Sequence, residues 1–325
     1  MMILLYIIIL VAGFFALVKG ADIFVDGSCA IARRFHVSGL VIGLTIVSMG
    51  TSAPEMAVSI VAAAQGSNEI ALSNVVGSNI FNALMILGIC AIIGGIPVDR
   101  DVKNRDFPVM ILSTAFVLPF AASGIILSRT LPKTMADNTG TVSRIAGIAL
   151  LIAFAAYMYA LIRKSGKNPE EDQGGKVISL PMSIFMIITG LLLIVAGGQA
   201  VVNSAKSIAR AMGLTETLIG LTVVAMGTSL PECVTSVVAA RKGQTSLAVG
   251  NAVGSDIFNM MFVLGTSSAI HPVAVNAASV CDLMILLLIC LMVWLFSRTK
   301  DTINRGEGII MVLCYIADMV FAILR

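Results

Sequence analysis

Two glutamates stand where a soluble or membrane helix would ordinarily carry apolar residues. Glu55 lies in "GTSAPE" and Glu232 in "GTSLPE", each inside a long hydrophobic stretch. Polar residues surround them at a fixed interval. Thr51, Glu55 and Ser59 are four apart, as are Thr228, Glu232 and Ser236. Downstream, Asn74, Ser78 and Asn82 repeat the spacing, and so do Asn251, Ser255 and Asn259. Residues at i, i+4 and i+8 share one helix face. Four helices therefore each present a polar stripe, and such stripes face one another or water. Placing a charge mid-membrane costs about 2.5–3.5 kcal/mol on insertion scales. No Lys or Arg lies on the stripes, so the compensating charge is a bound cation or protons. The plainer alternative is a pair of neutral, hydrogen-bonded packing residues.

Pro54 and Pro231 precede the glutamates. Proline cannot donate to the carbonyl four residues back, here Gly50 and Gly227, and its ring disturbs the carbonyls of Thr51 and Thr228. A broken helix with carbonyl oxygens beside a carboxylate is oxygen chemistry that a hard cation such as Ca²⁺ or Na⁺ uses. Kinked Gly–Pro segments also occur in membrane helices for packing alone. In "NVVGSNIFN" and "NAVGSDIFN", Gly77 and Gly254 permit close helix approach, while Ser78, Asn82, Ser255 and Asn259 offer neutral oxygens. Asp256 is one residue off its stripe, rotated about 100°, which favours a supporting or water-facing position over that of a direct ligand. Glu69 and Glu216 read as solvated span ends. Asp22 and Asp26 line an ion approach or sit at the outer interface.

The two motif sets belong to one repeat. Residues 43–82 and 220–259 align without a gap at an offset of 177, with 23 of 40 positions identical. A duplication kept for packing alone predicts matching small and apolar positions, but here the polar ones match. An odd number of spans between the copies inverts the second relative to the membrane.

The elements that must position these residues are transmembrane helices. The chain has 325 residues, 58% hydrophobic and 12% charged, against about 25% charged in soluble domains. The apolar runs are continuous, which excludes an alternating β-barrel pattern. Ten spans are expected at roughly 2–31, 40–64, 70–95, 107–128, 144–162, 179–208, 215–240, 246–270, 276–296 and 307–324. The fold class is an all-α polytopic membrane protein of ten transmembrane helices in two inverted five-helix repeats. The halves are 1–162 and 179–325, joined by a hydrophilic connector over 163–178. The first run lacks a basic leader and a cleavage site and reads as a span. Loops on one side hold 14 of the 21 basic residues. The positive-inside rule places that side in the cytoplasm and both termini outside. The six cysteines show no paired spacing and read as small core residues. The thinly spread positive charge makes no nucleic-acid patch. No Ser/His pair or HExxH motif supports a hydrolase, so no enzyme activity is expected.

The duplicated motifs resemble the α-repeats of the cation/Ca²⁺ exchanger superfamily, nearest to its prokaryotic sodium/calcium exchanger group. The resemblance is sharp over the 80 repeat residues and extends to the ten-span layout. It implies a Ca²⁺/Na⁺ antiporter of the cell membrane working by alternating access, with the long first and sixth helices sliding across the remaining core. It implies Glu55 and Glu232 as central Ca²⁺ ligands, joined by the carbonyls of Thr51 and Thr228. Ser52, Ser78, Ser229 and Ser255 would form flanking Na⁺ sites, with backbone oxygens from Ser48 and Ala225. Asn82 and Asn259 would line the centre. Some members have aspartate where this chain has Asn259. The superfamily also holds H⁺-coupled and K⁺-dependent members, so Ca²⁺/H⁺ and K⁺-dependent Na⁺/Ca²⁺ exchange stay open beside Na⁺/Ca²⁺ exchange; a cation channel is a more distant reading. No cofactor is implied. Ca²⁺ and Na⁺ are the transported substrates, the bilayer is the partner, and a monomer suffices.

Overall fold

The computed structural model describes residues 2–65, 68–128, 131–165, 178–212 and 225–324. Most of the connector, the start of the expected seventh span, Glu216 and the Glu69 side chain lie outside the described structure. The protein is mostly helical. Helix α1 covers Met2–Arg34. Helices α2 (Gly39–Thr51) and α3 (Ala53–Ala64) form one bent pair, turned by 51° at their junction. Helix α4 is Ile70–Gly94, α5 Phe107–Ala121 and α6 Ser123–Ser128. Then come α7 (Arg144–Ser165) and α8 (Leu180–Ala211). Helices α9 (Ala225–Thr228) and α10 (Leu230–Arg241) flank a second break. Helices α11 (Thr245–Ile270), α12 (Ala277–Arg298) and α13 (Arg305–Leu324) complete the described chain.

Seven of these helices are long and apolar enough to cross a membrane, and the bent α2–α3 pair makes an eighth. The α5–α6 unit carries Pro119 inside its first helix and breaks at Ala122. The α9–α10 unit is described only from residue 225 onward. Two short antiparallel ladders add what the hydrophobic pattern did not announce. Strands β1 (Ile96–Pro97) and β4 (Thr302–Ile303) pair, and so do β2 (Asn138–Val142) and β3 (Val273–Asn276). Each ties a connection in the first part of the chain to one in the second. Beside the first ladder, Lys103 makes an ion pair with Asp301, which holds the Asp301 carboxyl below its ordinary range.

Helices α1 and α8 touch backbone to backbone. Gly13, Gly20 and Gly27 of α1 meet Gly197, Gly190 and Ser183 of α8. A Cβ on Gly20 would lie 2.8 Å from the Ile194 nitrogen, and one on Gly190 would lie 2.7 Å from the Phe24 nitrogen. In lipid, where apolar surfaces gain little by meeting, such small-residue seams bring helices together through close packing. Farther along α1, Lys242 Nζ sits 2.7 Å from Asp22 Oδ1 and 2.7 Å from Asp26 Oδ1. That pairing places Asp22 and Asp26 at the Lys242 end of the molecule.

The interior is built where α2 crosses α11. A Cβ on Gly250 would lie 2.6 Å from the Leu40 carbonyl oxygen. Gly254 packs as expected, its Cβ position 2.7 Å from Leu44 Cα. Gly77 has no such neighbour among the described residues, and Leu221, the repeat counterpart of Leu44, falls outside them. All six cysteines are free, and Cys29, Cys90 and Cys290 are buried.

Gly250→Val places its side chain against main-chain atoms that cannot yield. Overpacking typically costs about 1–3 kcal/mol. Thermal unfolding in detergent is expected to show a clear fall in midpoint for Gly250→Val. Gly94→Ala, where a Cβ meets nothing within 4 Å, should leave the midpoint near that of the parent.

Candidate cation site

The site begins at two matched breaks. Ser52 (φ −82°, ψ 9°) interrupts the α2–α3 pair, and Ser229 (φ −89°, ψ 5°) separates α9 from α10. Pro54 and Pro231 occupy the first two positions of the helices that follow, where a missing N–H costs nothing. Glu55 and Glu232 therefore sit in the first turns of α3 and α10. A helix N-terminus favours negative charge. The expected kink is present, and its result is a new N-terminus beneath each carboxylate.

The two breaks reach into each other. Ser52 Oγ donates to Glu232 Oε1 at 2.8 Å. Ser229 Oγ donates to Glu55 Oε1 at 3.2 Å, and Ser78 Oγ approaches the same oxygen at 3.3 Å. Ser78 and Ser229 are 2.8 Å apart. Each carboxylate is thus held by a serine from the other copy of the repeat. Glu55, Glu232, Ser52 and Ser229 are fully buried, and among the described residues neither carboxylate has an ion-pair partner.

The asparagines one stripe position earlier clamp the main chain. Asn74 Nδ2 donates to the Glu55 carbonyl at 3.2 Å and to Ser59 Oγ at 3.0 Å. Asn251 Nδ2 does the same for Glu232 at 3.2 Å and Ser236 at 2.8 Å. Thr51 Oγ1 lies 3.1 Å from Asn251 Oδ1. Thr228 ends α9 and is half-buried.

Asn82 and Asn259 lie in π-helical turns at equivalent places, Phe81–Ile86 and Phe258–Val263. π-turns inside α-helices are frequent at functional positions. Asn82 Nδ2 donates to Asp256 Oδ1 at 3.1 Å, and Asn259 Nδ2 donates to Asn79 Oδ1 at 3.3 Å. Asp256 is 1% exposed, which rules out the water-facing placement and keeps the supporting one. Asn79 was not singled out by its spacing. The signal for both was their shared repeat position, the point where one copy has Asn and the other Asp.

Several oxygens are left over. Glu55 Oε2, Glu232 Oε2, Asn82 Oδ1, Asn259 Oδ1 and Ser255 Oγ are buried without a hydrogen-bond partner among the described residues. The hydroxyls of Ser28, Thr235, Ser267 and Ser268 are also without a partner among the described residues, but the carboxylate and amide oxygens so left all belong to residues that the stripes singled out. No cluster of three or more His, Cys, Asp or Glu suited to a metal occurs among the described residues. The donor set is two carboxylates with neutral oxygens, the chemistry of hard cations.

The family model for the sodium/calcium exchanger protein matches residues 5–163 and 182–324. The chain belongs to the sodium/calcium exchanger family. It is 35% identical to the putative antiporter CaxA of Alkalimonas amylolytica, over 95% of this chain and 96% of that one. It is 32% identical to the sodium/calcium exchanger MaX1 of Methanosarcina acetivorans, over 98% of this chain and 99% of that one. The solved structure of the sodium-calcium exchanger NCX_Mj superposes with a TM-score of 0.82 at 30% identity, covering 98% and 99% of the two chains. These relatives are exchangers and antiporters, not enzymes. Family membership makes the chain a multi-pass membrane protein of cation/Ca²⁺ exchange.

Asn251→Ala strips a donor from a buried carbonyl and from Ser236. An unsatisfied buried group costs about 1–3 kcal/mol. The variant should unfold at lower temperature than the parent, and by more than Asn74→Ala, because Asn251 is fully buried and Asn74 only partly so.

Proposed function

We propose that the protein is a secondary active antiporter that exchanges Ca²⁺ for Na⁺ across the cytoplasmic membrane by alternating access. The reading has ten transmembrane helices in two inverted five-helix halves, 1–162 and 179–325, with both termini extracytoplasmic and the monomer as the working unit. Glu55 and Glu232 are the central Ca²⁺ ligands, with the carbonyls of Thr51 and Thr228. Ser52, Ser229, Ser78 and Ser255 contribute to flanking Na⁺ sites, and Asn82 and Asn259 line the centre.

One observation carries this reading: each buried glutamate is bonded by a serine of the opposite repeat, while its second oxygen has no partner among the described residues. Glu55 and Glu232, without a protein cation beside them, match the charge of one Ca²⁺ or of two monovalent ions; the buried Asp256 carboxylate stands outside that pair, bonded to Asn82, and adds a negative charge of its own. Each loaded state then crosses the bilayer with the two glutamates compensated, whereas a bare pair would carry the full cost of buried charge. The support for Na⁺ comes from the relatives: MaX1 is named a sodium/calcium exchanger, and the NCX_Mj structures include crystals soaked with Na⁺ and Ca²⁺. Ca²⁺/H⁺ exchange is the second reading, because the two glutamates can also be compensated by protons.

Purified protein in Ca²⁺-loaded vesicles separates the two. An imposed Na⁺ gradient is expected to drive Ca²⁺ flux at clamped pH. Flux that follows a proton gradient and ignores Na⁺ overturns the Na⁺ coupling. Glu55→Ala and Glu232→Ala are each expected to abolish that flux while the protein still reaches the membrane. Wild-type flux in either variant overturns the site assignment.

A further inference from the structure

A side-chain amide has two faces, and only one of them suits a cation. Its oxygen attracts a positive ion and its NH₂ repels one. Asn82 and Asn259 therefore contribute to a cation centre only if something turns both NH₂ groups away from it. The residues that do so lie at equivalent places in the two repeats, Asn79 and Asp256, separated by the same offset of 177.

Asn82 Nδ2 donates to Asp256 Oδ1 at 3.1 Å. A carboxylate accepts and does not donate, so it pairs with the NH₂ of Asn82 and not with its oxygen. Asn259 Nδ2 donates to Asn79 Oδ1 at 3.3 Å. An asparagine could present either end, but Asn79 is itself fixed: its Nδ2 donates to the Asp256 main-chain oxygen at 3.0 Å, an atom that only accepts. Both lines of bonds thus end on acceptors of one residue. The oxygens they leave behind, Asn82 Oδ1 and Asn259 Oδ1, are buried and unpartnered among the described residues.

We infer that Asp256 is a positioning residue that sets both amides, Asn82 through its carboxylate and Asn259 through Asn79, so that two carbonyl oxygens face the transported cation. The inference rests on the cation-site reading above. It also explains why Asp256 stands off the ligand stripe: its bonding partner is an amide of the opposite repeat.

Ca²⁺ titration calorimetry on the purified full chain tests this, with transport rates measured alongside. Loss of an outer hydrogen-bond partner typically weakens metal affinity about 10–100-fold. Asp256→Asn, which can turn its own NH₂ towards Asn82, is expected to weaken Ca²⁺ binding by that factor. Turnover at saturating Ca²⁺ should stay near that of the parent. In an Asn82→Ala background, Asp256→Asn should weaken binding much less than it does alone, since the Asp256 side chain acts in this network through Asn82 while its main-chain oxygen, which holds Asn79, is unchanged. Fully additive effects, or parent affinity in Asp256→Asn, overturn the inference. Asn79→Ala and Asn259→Ala run the same cycle on the other branch and decide the matter if Asp256→Asn does not fold. Glu55→Gln keeps the two readings apart. If it abolishes Ca²⁺ binding while Asp256→Asn and Asn79→Ala bind as the parent does, the positioning role fails and the site stands. Parent affinity in Glu55→Gln removes the site and the inference with it.

Discussion

Two carboxylates buried in an apolar interior, with no basic side chain beside them among the described residues, set the terms for much of this molecule. Such a pair is tolerable only where every nearby dipole helps. The helix breaks at Ser52 and Ser229 answer that need by creating N-termini under Glu55 and Glu232. The same breaks free the serine side chains to cross and bond the opposite glutamate. Proline is suited to such a start and unsuited to a helix interior, so one residue type both ends the incoming helix and opens the next.

Close packing follows from the same demand. Short polar groups such as serine reach across only where backbones nearly touch. Gly250 and Gly254 of α11 let α2 approach to that range. The contact between α1 and α8 is of the same kind and borders the two breaks, with Gly50 against Phe24 and Leu191 and Gly198 against Pro231. Its glycines recur every seven residues on α1, and the two long helices run against each other along that seam. Ion pairing of Lys242 with Asp22 and Asp26 adds a tether between α1 and the end of α10.

The order of the polar network also has a physical reason. Groups that would face a cation offer oxygen, and their donor ends are occupied elsewhere: Asn74 and Asn251 on main-chain carbonyls, Asn82 on Asp256, Asn259 on Asn79. In a medium with little water, a misdirected NH₂ is costly in itself as well as repulsive to a positive ion.

Much of this was legible in the chain itself. Continuous apolar runs and scarce charge require membrane helices, because only internally bonded backbone is stable in lipid. The spacing of four placed Glu55, Ser59, Ser78 and Asn82 on shared faces, and a repeat with conserved polar positions marked them as one constellation. Proline located the breaks. Spacing along one helix, however, carries no information about the partner across the gap. Which serine meets which glutamate, the tether of Asp22 to Lys242, and the two short β-ladders all join residues far apart in sequence. Asp256 shows the limit best. Its position off the stripe was readable, and its bond to Asn82 was not, because the direction of a side chain's partner exists only once the two repeats are packed against each other.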